Sequence, residues 1–500
     1  MRIVQTFWTG QDNPDPEVLV TQSGGWLSAE YHWMSWAFSC LQLRQFYSEV
    51  ELYTDEAGKR LLMDILELPY TKVHVTHKDM PAVPNGAWAM AKVFTYSLQE
   101  QPFLHADGDV YIWKPFPETL LDASLIAQNK EVKFPFYDRI LANIYTHFER
   151  IPDIVKQFLD ETKKMYAYNA GILGGNDLEA IKNYTNASFE LLAQNEQTWY
   201  AIEPGDLNFI AEQFIFTCVA KSTDTAVGTL LAPMQWENNY KSTAMLDQAP
   251  FGISYAHIIS NFKKEPYICD HLSRHLLVYY PEMHAKVLSE MKRLGYSKFL
   301  NKSFQKTDGG FSLPKGFAKQ VYFAENAVNH ARLKGDFLQF TQGVEEAVGK
   351  LPDLAQWHQQ EEQRYRLHQS FMSANTDAQN AYGFKLAPYC ALLESQWRWV
   401  KRKRVDFAQL CEKNLEDEEG PYLYLVAPDA SRAEVLISIQ KDLRIVVLNH
   451  ILNQDSVSDI FEALPQYFDE EDLKENATAL REMVIDIIDD LILSGVIIAA

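Results

Sequence analysis

The run PFLHADGDVYIWKP, residues 102–115, carries an apolar stretch that ends in two carboxylates, Asp107 and Asp109. In an extended chain, side chains two apart point to the same side, so both carboxylates can face one cation at the strand's C-terminal edge. Hard divalent ions such as Mn²⁺ or Mg²⁺ favour oxygen ligands and keep positions open for phosphate groups. In a parallel sheet the crevice beyond the strand C-termini is also where nucleotides bind. Taken alone, the same residues also read as a DG hairpin turn with incidental acid.

Working outward, IVQTFW (3–8), VELYTD (50–55) and KVHVTH (72–77) read as short strands. A Trp-rich segment (26–47), LLMDIL (61–66) and WAMAKVFTYSLQ (88–99) alternate with them as helices, and MYAYNAGILGGND (165–177) is a later apolar run broken by glycines. This βαβ rhythm predicts an α/β fold on a mostly parallel sheet. From about Asp270 the pattern turns to amphipathic helix, and EDEEGP (416–421) reads as a linker or turn. The expected organisation is an α/β domain over 1–295, a helical extension over 296–415 and a small α+β module over 416–500.

The 500 residues carry 46 Lys+Arg against 67 Asp+Glu, a net −21. Such a balance argues against a general nucleic-acid or anionic-membrane binder, and the dense basic run 401–404 is short. Residues 405–500 hold 21 acidic and 6 basic side chains, a net −15, so the first 404 residues carry only −6. No signal peptide and no run of about 18 apolar residues is readable. Cys40, Cys218, Cys269, Cys390 and Cys411 show no CxxC spacing, and a reducing cytoplasm is expected. Aromatic residues make up 13% of the chain; their flat apolar rings suit sugar faces as well as an ordinary core.

Three further features stand in order around the acidic pair. Lys92 lies fifteen residues before Asp107, NAGILGGN spans 169–176, and Glu212 and Gln213 open the apolar stretch EQFIFTCV. The small residues of NAGILGGN let a backbone pass close to a ligand, and Asn169 can bond sugar hydroxyls. The series FWTG, VELYTD, Lys92, HADGDV, NAGILGG and the acid–Gln pair resembles GT-A-fold glycosyltransferases, and is most similar to the retaining families eight and thirty-two. The resemblance covers about residues 1–290. It implies a metal-dependent hexosyltransferase in which Asp107 and Asp109 hold Mn²⁺ or Mg²⁺. Thr6, Tyr53, Asp55, Lys92, Gly108, Asn169, Ala170 and Gly171 would bind a nucleotide-sugar donor, a UDP-sugar foremost, and Glu212 and Gln213 would stand at the reacting centre. Such enzymes often add a late histidine ligand followed by a basic residue. His257 and His271 are the two candidates, and HLSR favours His271 with Arg274 for phosphate.

In the tail, YLYLVA and EVLISIQ read as strands, three helices follow, and GVII closes as a strand; Ser456 to Asp459 reads as an N-cap. This winged-helix-like pattern resembles PqqD-like leader-binding modules. A net −15 turns it away from DNA. The resemblance implies that a precursor peptide docks on 416–500 by strand addition; packing on the first domain or homodimer formation are the alternatives. At the level of function the alternatives are a cell-surface polysaccharide transferase with no peptide partner, or a catalytically silent adaptor of the same fold.

Overall fold

The computed structural model divides into two units, Met1–Lys298 and Phe299–Ala500. It describes residues 1–10, 19, 22–84, 86–162, 164–235, 240–295, 310–313, 330–400, 419–429, 434–469, 473 and 475–500. The basic run 401–404, Cys411 and residues 416–418 of the acidic linker lie outside the described residues.

Among the described residues the first unit holds twelve strands: β1 (Arg2–Phe7), β2 (Val50–Thr54), β3 (Lys72–Val75), β4 (Phe103–Ala106), β5 (Val110–Ile112), β6 (Leu125–Ala127), β7 (Lys130–Val132), β8 (Tyr166–Tyr168), β9 (Ile172–Gly175), β10 (Val227–Thr229), β11 (Met234–Gln235) and β12 (Tyr255–His257). Seven form one sheet in the order β10-β6-β9-β4-β1-β2-β3. All its pairings are parallel except the two made by β9, which runs against β4 and β6. The expected mixed α/β fold with a mostly parallel sheet is what the chain adopts. Ile3, Val4, Val50, Leu52, Phe103 and Leu104 are fully buried, as strands covered on both faces require.

Two glycines of NAGILGG serve this sheet. A Cβ on Gly174 would stand 2.2 Å from the carbonyl oxygen of Phe103, and one on Gly175, where φ is +142°, would stand 2.1 Å from that of Ser124. The close approach made there is backbone to backbone, with β9 wedged between its two neighbours.

In the second unit, strands Ala391–Ser395, Tyr422–Asp429 and Glu434–Gln440 form an antiparallel sheet in that order, and Phe384–Leu386 pairs with Ile497–Ala499. The first pairing crosses position 415/416, so residues the sequence reading assigns to the helical extension share a sheet with the tail. Helices His330–Gly349, Leu354–Ser373, Leu443–Leu452 and Ala477–Leu493 pack with these strands around one core that includes Phe340, Trp357, Tyr424 and Ile488. Ser456 caps helix Val457–Ala463 in a capping box with Asp459, which satisfies two otherwise orphaned N–H groups. No helix among the described residues is long and apolar enough to cross a membrane.

Candidate active site

Parallel β1 and β4, in register Val4 to His105, end side by side and bring Thr6 and Asp107 to one edge. His105 Nε2 stands 3.1 Å from Thr6 Oγ1. The chain then turns through Asp107, Gly108 and Asp109 into β5. The Asp107 N–H donates to the Gly171 carbonyl at 3.0 Å, and the Val110 N–H donates back to the Asp107 carbonyl at 3.1 Å. Gly108 is required here, because a Cβ would meet the Trp36 indole at 2.4 Å.

Strand β12 pairs antiparallel with β5, His257 opposite Val110, and the Ile258 N–H donates to the Asp109 carbonyl at 3.1 Å. This pairing delivers His257 to the acidic turn. Its Nε2 lies 3.5 Å from Asp109 Oδ1 and 4.0 Å from Asp107 Oδ2. One ligand atom from each of the three residues falls within 4.8 Å of the others. Nδ1 of His257 donates to Gln128 Oε1 at 2.7 Å, while Gln128 Nε2 donates to Asn129 and Tyr255 donates its hydroxyl to the same Oε1. The Nε2 lone pair therefore faces the carboxylates, the orientation a metal-ligating imidazole needs. Burial pushes the His257 pKa down to about 4, which keeps the ring neutral. Two carboxylates and a neutral imidazole fit Mn²⁺, and the carboxylate pair alone fits Mg²⁺.

Two ammonium groups flank the cluster. Lys92 Nζ lies 2.8 Å from Asp107 Oδ1 and 2.8 Å from Glu212 Oε1, and Lys263 Nζ lies 2.6 Å from Asp109 Oδ2. Burial raises the Asp107 pKa to about 7; Lys92 opposes the rise, while Asp109 and Glu212 add to it. Burial also acts to raise Asp109, yet Lys263 and His257 outweigh it and hold that carboxyl below its usual range. Burial works against the Lys92 charge, but Asp107 and Glu212 overcome it and raise its pKa. Burial raises Glu212 as well, against the pull of Lys92.

Thr6, Lys92, Asp107, Gly108, Asp109, Asn169, Ala170, Gly171, Glu212, Gln213 and His257 all line a single cavity of about 1030 Å³. Four predicted residues do not. Asp55 accepts from the Thr9 N–H, the Thr9 hydroxyl and the Gly58 N–H, capping helix Glu56–Lys59 and fixing the chain beyond β1. Tyr53 stacks on His74 at 4.2 Å, in the sheet below the site. His271 and Arg274 sit on helix Pro266–Tyr279, His271 buried edge-on against Tyr267 and Arg274 paired with Asp270. The histidine placed beside the acidic pair is His257, and Lys263, six residues behind it, stands against Asp109, whereas His271 and Arg274 do not line the cavity.

The roles within the cavity also shift. Glu212 is committed to Lys92 and to the Tyr96 hydroxyl at 3.1 Å. Gln213 Oε1 is buried and has no hydrogen-bond partner among the described residues. Asn169 accepts from the Gly171 N–H at 2.9 Å and donates to Glu131 Oε1 at 3.1 Å. Glu131, absent from the sequence reading, also accepts from the hydroxyls of Tyr137 and Tyr240; burial raises its pKa, and these donors oppose the rise. Aromatic rings that the sequence left unassigned line the cavity too, among them Trp8, Trp36, Trp88 and Phe209.

A family model described as "Family of unknown function (DUF6734)" matches residues 1–290. No curated protein matches the sequence. Among solved structures the chain is similar to the glycosyltransferase GlyE of Streptococcus pneumoniae TIGR4, with 12% identity and a TM-score of 0.29. That match covers 62% of this chain and 66% of that one, just under two thirds of its length. It is also similar to the galactosyltransferase LgtC, solved with donor and acceptor sugar analogs, with 12% identity, a TM-score of 0.24 and coverage of 43% and 71%. Mouse xyloside xylosyltransferase 1 follows with 12% identity, a TM-score of 0.24 and coverage of 51% and 96%.

Proposed function

The chain belongs to the DUF6734 family, and from the geometry of the cavity built by its matched residues we propose that it is a metal-dependent glycosyltransferase using a nucleotide-sugar donor. The observation that carries this reading is the Asp107, Asp109 and His257 cluster, flanked by Lys92 and Lys263 at the C-terminal edge of the sheet, inside a cavity of about 1030 Å³. A carboxylate–imidazole set beside two ammonium groups matches a diphosphate bridged to a divalent ion.

When bound, Mn²⁺ or Mg²⁺ neutralises charge on the departing diphosphate. Lys263 is placed to bind the same diphosphate once its carboxylate partner is engaged. Gln213 lines the cavity beside Glu212 and would contact the donor sugar as positive charge develops at C1. Glu212 acts as a positioning residue through Lys92. A UDP-sugar donor, hexose transfer and retention of configuration belong to the same reading and are supported by the sequence resemblance; a cytoplasmic location is supported by the scattered cysteines, which show no CxxC spacing. Docking of a precursor peptide on 416–500 is likewise a proposal, supported by the PqqD-like pattern of the sequence.

The test is release of free nucleotide from UDP-, GDP- and dTDP-sugars with Mn²⁺. One donor is expected to turn over, and Asp109→Ala to abolish it; full activity of that variant overturns the metal role.

A further inference from the structure

The cavity has a second wall whose chemistry points to the acceptor. Trp88 is 56% exposed, an unusual state for an indole that lines a cavity. The backbone on either side of it is tied down. Asn208 accepts from the Ala89 N–H at 2.9 Å and donates to the Gly86 carbonyl at 2.8 Å, tying the Trp88 segment to the residue preceding Phe209. Phe209 meets Phe136 edge to face at 5.6 Å, and both line the cavity. Gln213 follows Phe209 by four residues on the same helical segment and carries the buried unpartnered amide oxygen.

The charges beside this wall are already matched. Lys92, 5.4 Å from the Trp88 ring, is shared between Asp107 and Glu212. Arg139 donates twice to Asp206, and Glu131 accepts from three neutral donors. The wall therefore offers flat rings and the Gln213 side chain, without an unmatched charge. A pyranose presents the complement: an apolar face of C–H groups to lie on a ring, and hydroxyls to donate. A uronate or a phosphorylated acceptor would bring a charge with no counter-ion into this wall.

We propose that Trp88, Phe136 and Phe209, with Gln213, form an acceptor subsite for a neutral sugar ring, so that the acceptor is a glycan. The proposal rests on the glycosyltransferase reading and adds the acceptor class to it.

The test is saturation-transfer NMR with methyl glucoside, methyl galactoside, methyl mannoside and methyl glucuronide, on the full chain with Mg²⁺ and UDP. At least one neutral glycoside is expected to receive saturation on its ring C–H protons, and the glucuronide to receive less. Trp88→Ala should lower that glycoside's affinity about tenfold or more, Trp88→Phe should restore most of it, and Tyr200→Ala, at a residue 90% exposed and outside the cavity, should match wild type. Equal signals in wild type and Trp88→Ala, or no signal from any neutral glycoside, overturn the proposal. If nucleotide release occurs without Trp88-dependent glycoside binding, only the acceptor subsite fails. Absence of metal-dependent nucleotide release overturns the glycosyltransferase reading and the subsite with it.

Discussion

Gln128 Oε1 accepts the Nδ1–H of His257 at 2.7 Å, and this contact turns the opposite ring nitrogen toward Asp109. Outer-shell partners of this kind commonly change metal affinity by about 10–100-fold. Gln128→Leu removes the acceptor at similar bulk and is expected to weaken Mn²⁺ binding within that range while the protein stays folded. Calorimetric titration of Mn²⁺, with circular dichroism as the folding control, checks it; unchanged affinity would show that the strand pairing alone orients the ring.

Lys263 holds the carboxylate that a metal would claim, with Nζ 2.6 Å from Asp109 Oδ2. Were Asp109 to ligate a metal, Lys263 would be released to bind a diphosphate, so metal and nucleotide should bind with positive coupling. UDP is expected to tighten Mn²⁺ binding by roughly 5–150-fold in wild type. In Lys263→Ala, Mn²⁺ alone should bind more tightly than in wild type and the enhancement by UDP should shrink. An equal enhancement in both proteins rules out this role for Lys263.

Gly171 has no room for a side chain. A Cβ there would stand 2.3 Å from Gln128 Oε1 and 2.3 Å from His257 Nδ1, driving apart the two groups that orient the ligand. Overpacking of this kind costs about 1–3 kcal/mol. Gly171→Ala is therefore expected to lower the melting temperature and to weaken Mn²⁺ binding together. A variant that binds Mn²⁺ as wild type does would place the tolerance elsewhere in the loop.

Glu131 receives three hydrogen bonds and lies buried against Asn169. Glu131→Gln exchanges one acceptor oxygen for an amide that can only donate, so one existing donor loses its partner, at about 1–3 kcal/mol. The expected result is a fall in unfolding free energy of that order by urea denaturation, and a stability equal to wild type would contradict the network.

How much of this was legible in the sequence differs by residue. Asp107 and Asp109 were readable because an apolar strand ending in acid is a local pattern, and strand β4 places them where that pattern says. Ser456 and Asp459 were readable for the same reason, since a capping box spans only four residues. His257 lost to His271 because the deciding event is the pairing of two three-residue strands, β5 and β12, whose sequence separation hides it. The basic residue next to His271 was a local cue, and Arg274 spends it on Asp270 within its own helix. VELYTD reads as a strand through Asp55, whereas β2 stops at Thr54 and the Asp55 carboxylate is consumed by a helix cap. Gly174 and Gly175 read as ligand-facing glycines, and only the antiparallel insertion of β9 between β4 and β6 reveals what they accommodate. Trp88 carried no signal, because an exposed indole on a cavity wall and a core indole look alike in sequence.

In the proposed function, a divalent metal held by Asp107, Asp109 and His257 would recruit a nucleoside diphosphate. The most direct measurement of this recruitment is calorimetric binding of UDP, GDP and dTDP with Mn²⁺ or with EDTA, in wild type, Asp109→Ala and His257→Ala. At least one nucleotide is expected to bind wild type in Mn²⁺, binding to drop by about 100-fold or more in EDTA, and neither variant to regain it with added metal. Nucleotide binding of equal strength in EDTA, or unimpaired Mn²⁺-dependent binding in His257→Ala and Asp109→Ala, would contradict it.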